Sequence, residues 1–377
     1  MARMMGELAL RYPPHSLVVS TGAYDNSALS DQRFPQPIDR VGIRASRLRT
    51  IQGLALWTLR ARRLAKEWKP GFVWCAELKP AAYPARWLGI PYGILVHGTE
   101  LLLIEDKIRR SRFKRGTAGA ILGRAAVLVA ISHWTANQAR RVLDLLECDV
   151  PVERVPLGTT PEFFRPGIDT SRVLAKYELF GGGGGGGPWL LTVARLEWHK
   201  GIDTMMKALP AIRAVHPGVR YAVAGVGDRL PQLEQLRQDL GLGDAVRFLG
   251  AVPDEDLPAL YNAADLYVGI SRRHDLLVEG FGISLVEASA CGLAVVGGRS
   301  GGVPDAVHEG QTGILVDPDD PAAVAAGVNE LLSDPERRKK LGAAGRRAVE
   351  TYYNWDRVAR DLIRIDASYA LAAAAGR

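Results

Sequence analysis

Cysteine is scarce in this chain, and long apolar runs are missing. Three cysteines, Cys75, Cys148 and Cys291, are scattered over 377 residues with no paired spacing. That pattern excludes a disulfide framework and a thiolate metal site, and it suggests a reducing compartment. No apolar stretch approaches the roughly 20 residues that cross a bilayer, and no leader-like segment is evident. A cytoplasmic location is therefore expected. Aromatic residues are only 7% of the chain, and the basic residues are not interleaved with aromatic platforms. No nucleic-acid motif is present, so nucleic acid is not an expected partner. No period of about 20–50 residues is visible, which excludes a repeat architecture.

What is present fits a soluble globular protein, with 47% hydrophobic and 24% charged residues. A length of 377 residues suggests two domains, each with its own core. The net charge of +7 is uneven. Residues 1–165 hold 25 Lys/Arg against 14 Asp/Glu, and residues 166–377 hold 23 against 27. The first part therefore suits an anionic partner or surface. Two basic clusters stand out there, in residues 60–66 and 107–115. Each is either a solvated face or a contact for anionic lipid head groups.

Short apolar runs alternate with helical periodicity along the chain. Residues 1–12 read as a helix, 17–20 as a short strand, 23–46 as polar and turn-rich, and 48–68 as a helix. Strands follow at 72–75, 92–96 and 127–132, with Ser132 as the N-cap of the next helix. Residues 151–167 carry four prolines and two glycines and read as the join between domains. The seven glycines Gly181–Gly187 read as a loop without chemistry. Beyond them, strands at 189–194, 221–224, 246–249, 265–270, 294–296 and 312–316 alternate with helices. Helices at 320–333, 335–351 and 355–375 close the chain. This alternation implies parallel sheets with right-handed crossovers, an α/β protein of two units.

Chemistry concentrates in Glu279–Gly292, EGFGISLVEASACG. Glu279 and Glu287 flank Gly280-Phe281-Gly282 and an apolar helix start. A glycine loop opening a helix is an anion site, because the first amides lack partners and the helix dipole favours negative charge. Carboxylates beside it accept hydrogen bonds from sugar hydroxyls. The stretch is either a sugar-nucleotide site or a buried turn with a capping acid. Arg195 and Lys200 flank a turn feeding a helix, which suits a diphosphate or, alternatively, two surface cations. Gly225-Val226-Gly227-Asp228 after a strand is a weak signal. His97 ends an apolar strand, where ligands of open α/β sheets bind, although a histidine there is often structural.

Several motifs occur in order: Arg195…Lys200-Gly201, Gly225-x-Gly227-Asp228, the acid pair Glu279/Glu287 around Gly-Phe-Gly, and Gly301-Gly302-Val303-Pro304 followed by Gly313-Ile314-Leu315-Val316. Together they resemble the retaining GT-B glycosyltransferases of family 4, strongly over about residues 190–355 and more loosely over 48–165. The resemblance implies two Rossmann-like domains facing a cleft: residues 1–165 for the acceptor, 166–354 for the nucleotide-sugar donor, and a helix at 355–377 crossing back to the first domain. It implies that Arg195 and Lys200 hold the donor diphosphate, Glu279 the sugar hydroxyls and Glu287 the ribose. Phe281, Gly282 and Ile283 would approach sugar and phosphate through their backbone, Gly227 would line the donor site, and His97 would face the reacting carbon.

The implied reaction is hexosyl transfer with retention, from a nucleotide-diphosphate sugar such as a UDP or GDP sugar, and without a cofactor. No Asp-x-Asp is positioned to hold a metal, and no nucleophile is assigned. The basic first domain and the motif at His97 resemble members that glycosylate lipid-linked or cell-envelope acceptors, which implies a peripheral position on the inner membrane face. A glycan or small-molecule acceptor, or a nucleotide-sugar-binding protein with little turnover, is the alternative. Relatives begin with a strand and a glycine-rich loop, whereas this chain starts at what reads as the following helix, so that strand and loop are expected to be missing. Gly158-Thr159-Thr160 stands where relatives carry a Gly-Val-Asp-like sequence.

Overall fold

The structure is a computed structural model that describes residues 2–23, 31–44, 47–48, 50–179 and 187–375. Most of the glycine run, through residue 186, lies outside the described residues. The chain divides into two compact units: Met1–Val155 with Trp355–Arg377, and Pro156–Asn354. The division thus falls ten residues before the expected boundary, and the last helix belongs to the first unit.

In the first unit, β1 (Val19–Ala23) pairs in parallel with β2 (Ile38–Arg44). β2 corrects the reading of residues 23–46 as turns throughout. Its Asp39 and Arg40 mask the strand pattern, and both are satisfied by ion pairs, Asp39 with Arg60 and Arg40 with Asp31. A second, parallel sheet runs in the order β3 (Val73–Cys75), β4 (Tyr92–Val96), β5 (Val127–Ala130) and β6 (Val152–Arg154). β4 and β5 are buried at every position, as continuous apolar runs covered on both faces should be. Ser132 caps the helix His133–Leu146 by accepting from the Thr135 amide at 3.1 Å. The terminal helix Trp355–Ala375 packs on the helix Ala2–Arg11. Asp366 accepts from Tyr12 Oη and from Trp74 Nε1, each at 3.0 Å.

The second unit holds one parallel sheet of β7 (Trp189–Val193), β8 (Arg220–Ala224), β9 (Val246–Gly250), β10 (Leu266–Gly269), β11 (Val295–Gly298) and β12 (Gly313–Val316). Its order is β12-β11-β10-β7-β8-β9. The first and fourth strands are neighbours, which is the doubly wound arrangement, and the winding direction reverses between β7 and β10. A crevice at the carboxyl ends of those two strands is where such sheets bind ligands. The core joins β7, β8 and β10 to the helices Ile202–Val215 and Pro321–Ser333 through Leu190, Met206, Leu209, Val223, Val268 and Val328. The helix Leu230–Asp239 is absent from the sequence reading. It is a polar surface helix that fully buries only Leu233, so its apolar stripe is too thin to register.

Candidate active site

Both switch-point strands deliver their loops to one place. After β7 the backbone runs through Arg195 into a single 3₁₀ turn, Trp198–Lys200, and then the helix Ile202–Val215. Gly201 closes the turn at φ +65°, and a Cβ there would lie 1.8 Å from the Ile270 carbonyl oxygen. Glycine is required because the turn docks directly on the backbone that leaves β10. The Gly225-x-Gly227 pair acts in the same way on the other side. Cβ atoms there would lie 1.9 Å from the Ala194 oxygen and 2.5 Å from the Leu196 oxygen. Gly227 thus packs against the loop that carries Arg195.

After β10 come Ser271, Arg272 and the loop to Glu279. Lys200 Nζ reaches Glu279 Oε2 at 2.5 Å, and Ser271 Oγ donates to the same oxygen at 3.4 Å. Lys200 and Glu279 are 15% and 21% exposed, so the pair is sheltered but reachable. Burial works against charge on Glu279, but the Lys200 ammonium outweighs it and holds the carboxyl below the usual range. The Gly301-Gly302 motif supports this loop from beneath. Gly302 donates its amide to the Glu279 carbonyl at 2.9 Å, and a Cβ on Gly301 would lie 2.3 Å from that oxygen. Arg195 is 70% exposed and pairs with Glu197 at 2.5 Å. His199 is buried beside them, with Nδ1 3.1 Å from Glu197 Oε2. Burial, and then the nearby Lys200 charge, pull its pKa down to about 4, so the ring is neutral at pH 7.

Gly282 precedes the helix Ile283–Ala290 at φ +101°, with no side chain capping its first amides. Phe281 turns into the core, 2% exposed, with its ring 6.0 Å from that of Tyr353. Ile283 is half-buried at the first helical position. Tyr267 Oη lies 2.7 Å from Ser284 Oγ, a hydroxyl that can donate to it, and 3.3 Å from the Val193 carbonyl, which accepts its single proton. One tyrosine therefore ties the helix start to the end of β7. Glu287 lies deeper, 4% exposed, and accepts from Tyr261 Oη at 3.0 Å. Burial and the Glu287 charge raise the Tyr261 pKa well above its ordinary value, so it remains a donor.

The structure thus gathers Arg195, Lys200, Gly227, Glu279, Phe281, Gly282, Ile283 and Glu287 around one end of one sheet. His97 belongs to the other unit. It follows β4, its Nε2 lies 2.9 Å from the Ala76 carbonyl oxygen, and its amide donates to Glu100. A carbonyl accepts only, so Nε2 carries a proton and donates it there. Two participants escaped sequence reasoning: Ser271, which reaches Glu279 eight positions on, and Arg272, whose partners Asp203 and Thr204 lie far away in the chain. Among the described residues, no three acids, histidines or cysteines are grouped to hold a metal ion, and no helix is long and apolar enough to cross a membrane.

Residues 184–348 match the family described as glycosyl transferases group 1. A GDP-mannose-dependent alpha-(1-6)-phosphatidylinositol monomannoside mannosyltransferase of Mycolicibacterium smegmatis is 35% identical, over 61% of this chain and 59% of its own length. The Mycobacterium tuberculosis protein of the same description is 33% identical, over 81% of this chain and 77% of its own. Among solved structures, Anabaena HepE in complex with UDP and glucose has a TM-score of 0.77 at 19% identity, covering 97% of this chain and 95% of that one. A glycosyltransferase from Rickettsia africae has a TM-score of 0.78 at 16% identity, covering 97% and 94%. These two likenesses are of fold, the GT-B fold of two Rossmann-like domains. The chain, by its match to the Mycobacterium tuberculosis protein and to the family's shared region, belongs to the group 1 glycosyl transferases.

Proposed function

We propose that this protein transfers a hexosyl group from a nucleotide-diphosphate sugar to an acceptor hydroxyl, with retention of configuration. The observation that carries this reading is the Lys200–Glu279 pair at the switch point, beside the uncapped helix start at Gly282. A cation, an acid and free amides within one sheltered loop cluster suit a ligand bearing both phosphate and hydroxyls. Arg195, Lys200 and the amides of Ile283 and Ser284 would stabilise charge developing on the leaving diphosphate, which is the largest electrostatic demand of the reaction. Charge supplied by these groups would make a metal unnecessary. Glu279 would accept from sugar hydroxyls once Lys200 turns to phosphate. Glu287 and Tyr261 would shape the ribose end.

The second unit would bind the donor, and the first unit, with His97, the acceptor. The two mycobacterial relatives are described as acting with GDP-mannose on a phosphatidylinositol mannoside, which favours GDP-mannose and a lipid-linked acceptor here. The surface of the first unit supports contact with an anionic membrane. On the helix Ile51–Trp68, Ile51, Leu56 and Leu59 are exposed in the first half, and Arg62, Arg63 and Lys66 in the second. Arg60 is not part of that face, because it turns to Asp39. The 107–115 cluster is split between two helices at Ser111. Its Arg109, Arg110 and Arg115 are paired with Glu105, Asp106 and Glu147, while Phe113 is 74% exposed.

Incubation of the protein with GDP-mannose, UDP-glucose and a phosphatidylinositol mannoside extract, read by mass spectrometry, tests the reading. A sugar-extended lipid is expected, with loss of product in Lys200→Ala. Binding of a nucleotide sugar with neither transfer nor hydrolysis would instead make the chain a nucleotide-sugar binder. Sedimentation with phosphatidylglycerol vesicles tests the membrane contact. Binding is expected to weaken with salt and in the Arg62→Glu/Arg63→Glu/Lys66→Glu variant, because surface attraction falls off within a Debye length.

A further inference from the structure

Lys200 sits on a one-turn segment that is too short to hold itself in place. Something else must set the position of its ammonium. One residue, Arg272, contacts this turn and the helix that follows it. Its amide donates to the His199 carbonyl at 2.8 Å. Its guanidinium forks onto both carboxylate oxygens of Asp203, at 2.9 and 3.0 Å, and donates to Thr204 Oγ1. Asp203 and Thr204 open the helix that immediately follows Lys200-Gly201. Arg272 therefore holds the turn before Lys200 by its backbone and the turn after it by its side chain.

This arrangement differs from an ordinary surface ion pair. The side chains of Arg272 and Asp203 are only 12% and 8% exposed, so losing one partner leaves a nearly buried charge uncompensated. The remaining charged neighbours are weaker: Lys207 Nζ is 3.5 Å from Asp203, and Asp319, 73% exposed, is 3.6 Å from the Arg272 Nε. Neither reproduces the fork. The residue just before Arg272 donates to Glu279 from the same strand end. Residues 271 and 272 thus locate both members of the Lys200–Glu279 pair, one from each side of the switch point.

We propose that Arg272 is a positioning residue that aims Lys200 at the donor diphosphate, through Asp203, Thr204 and the His199 carbonyl. The inference rests on the donor-site reading above, but its first test does not need a donor. The full-length protein and its Arg272→Met and Arg272→Lys variants are labelled with trace acetic anhydride, and the acetylation rate of Lys200 is read by mass spectrometry against Lys340. Lys200 reactivity is expected to rise at least threefold in Arg272→Met. A smaller rise is expected in Arg272→Lys, whose ammonium cannot fork. Calorimetric titration with GDP and with UDP is expected to show a tenfold or greater weakening of whichever binds the wild type, with partial recovery in Arg272→Lys.

Unchanged Lys200 reactivity in Arg272→Met overturns the proposal. If Arg272→Met does not fold, unchanged reactivity in a folded Arg272→Lys or Thr204→Val protein overturns it equally. Raised reactivity with unaltered nucleotide affinity also overturns it, since the turn then moves without consequence for the ligand. Failure of both nucleotides to bind the wild type sinks the donor-site reading itself. In that case the labelling result decides only whether Arg272 holds the turn.

Discussion

At the residue scale, the site depends on charges kept in unequal states. Lys200 and Glu279 stabilise each other as ions, while His199, one residue away, is kept neutral by burial and by the Lys200 charge. A histidine whose native pKa lies below its unfolded value binds fewer protons when folded. Stability therefore rises with pH between about 4 and the ordinary 6.5, and the contribution is lost as pH falls through that window. The shift corresponds to roughly 3 kcal/mol at most, at about 1.4 kcal/mol per unit. Chemical denaturation of His199→Gln beside the wild type is expected to show a flatter dependence between pH 6.5 and pH 4.5. A parallel dependence in the two proteins would remove His199 from this account. Glu279 has the same direction for a different reason: its depressed pKa adds stability that begins to fall only near the ordinary glutamate range of about 4.5. The two residues therefore lose their contributions at different acidities. The residue types at Arg195, Lys200 and Glu279 were legible in the sequence because each lies in a short local motif. Arg272 was not, since its partners Asp203 and Thr204 lie nearly seventy positions earlier.

At the scale of elements, glycine decides how closely the loops of the second sheet approach one another. Gly201, Gly225, Gly227, Gly298 and Gly301 each face a backbone atom that a Cβ would strike, and the contacts link the loops after β7, β8, β10 and β11. Gly241 has a similar φ of +62° but open space around it. Gly201→Ala and Gly241→Ala therefore separate two effects. Gly241→Ala is expected to cost about 1 kcal/mol, the penalty for a left-handed alanine. Gly201→Ala carries that penalty and a clash with the Ile270 oxygen, and is expected to cost several kcal/mol or to prevent folding of the second unit. Urea denaturation of both variants measures the difference. Comparable losses would show that the Gly201 turn yields without displacing Lys200. The glycines themselves were visible as motifs, but their reason was not. Gly225-x-Gly227 looked like a weak ligand signal, whereas its immediate structural effect is to seat the Arg195 loop.

At the scale of the whole molecule, the chain's last helix returns to the unit that contains its first residues. Asp366 is the polar pin, accepting from Tyr12 on one side and Trp74 on the other. Burial raises its pKa above the ordinary carboxylate value, so the fold favours the protonated form and the penalty grows as pH rises through the native pKa. Asp366→Asn keeps an acceptor and removes the charge, and is expected to match or exceed wild-type stability at pH 7. Asp366→Leu leaves two donors without their acceptor and is expected to cost about 1–3 kcal/mol, with faster amide exchange across residues 355–375. Lower stability of Asp366→Asn at pH 7 would show that the carboxylate, not merely an acceptor, is needed.

The consecutive order of residues was enough to reveal the alternating strands and helices, the all-parallel sheets and the glycine- and acid-bearing loops. Apolar periodicity, breakers and caps act between neighbours a few positions apart, so they are written locally. It was also enough to single out the cations, carboxylates and glycine loops that the fold gathers at one end of the second sheet, because each lies in a short motif. Three features emerged only from the folded chain: the neighbouring of β7 and β10, the 2.5 Å pairing of Lys200 with Glu279, and the bracing of that pair by Arg272. Each joins segments more than sixty residues apart. Their juxtaposition is set by how the helices cover the sheet and by which backbones glycine allows to touch, and no local pattern encodes that outcome.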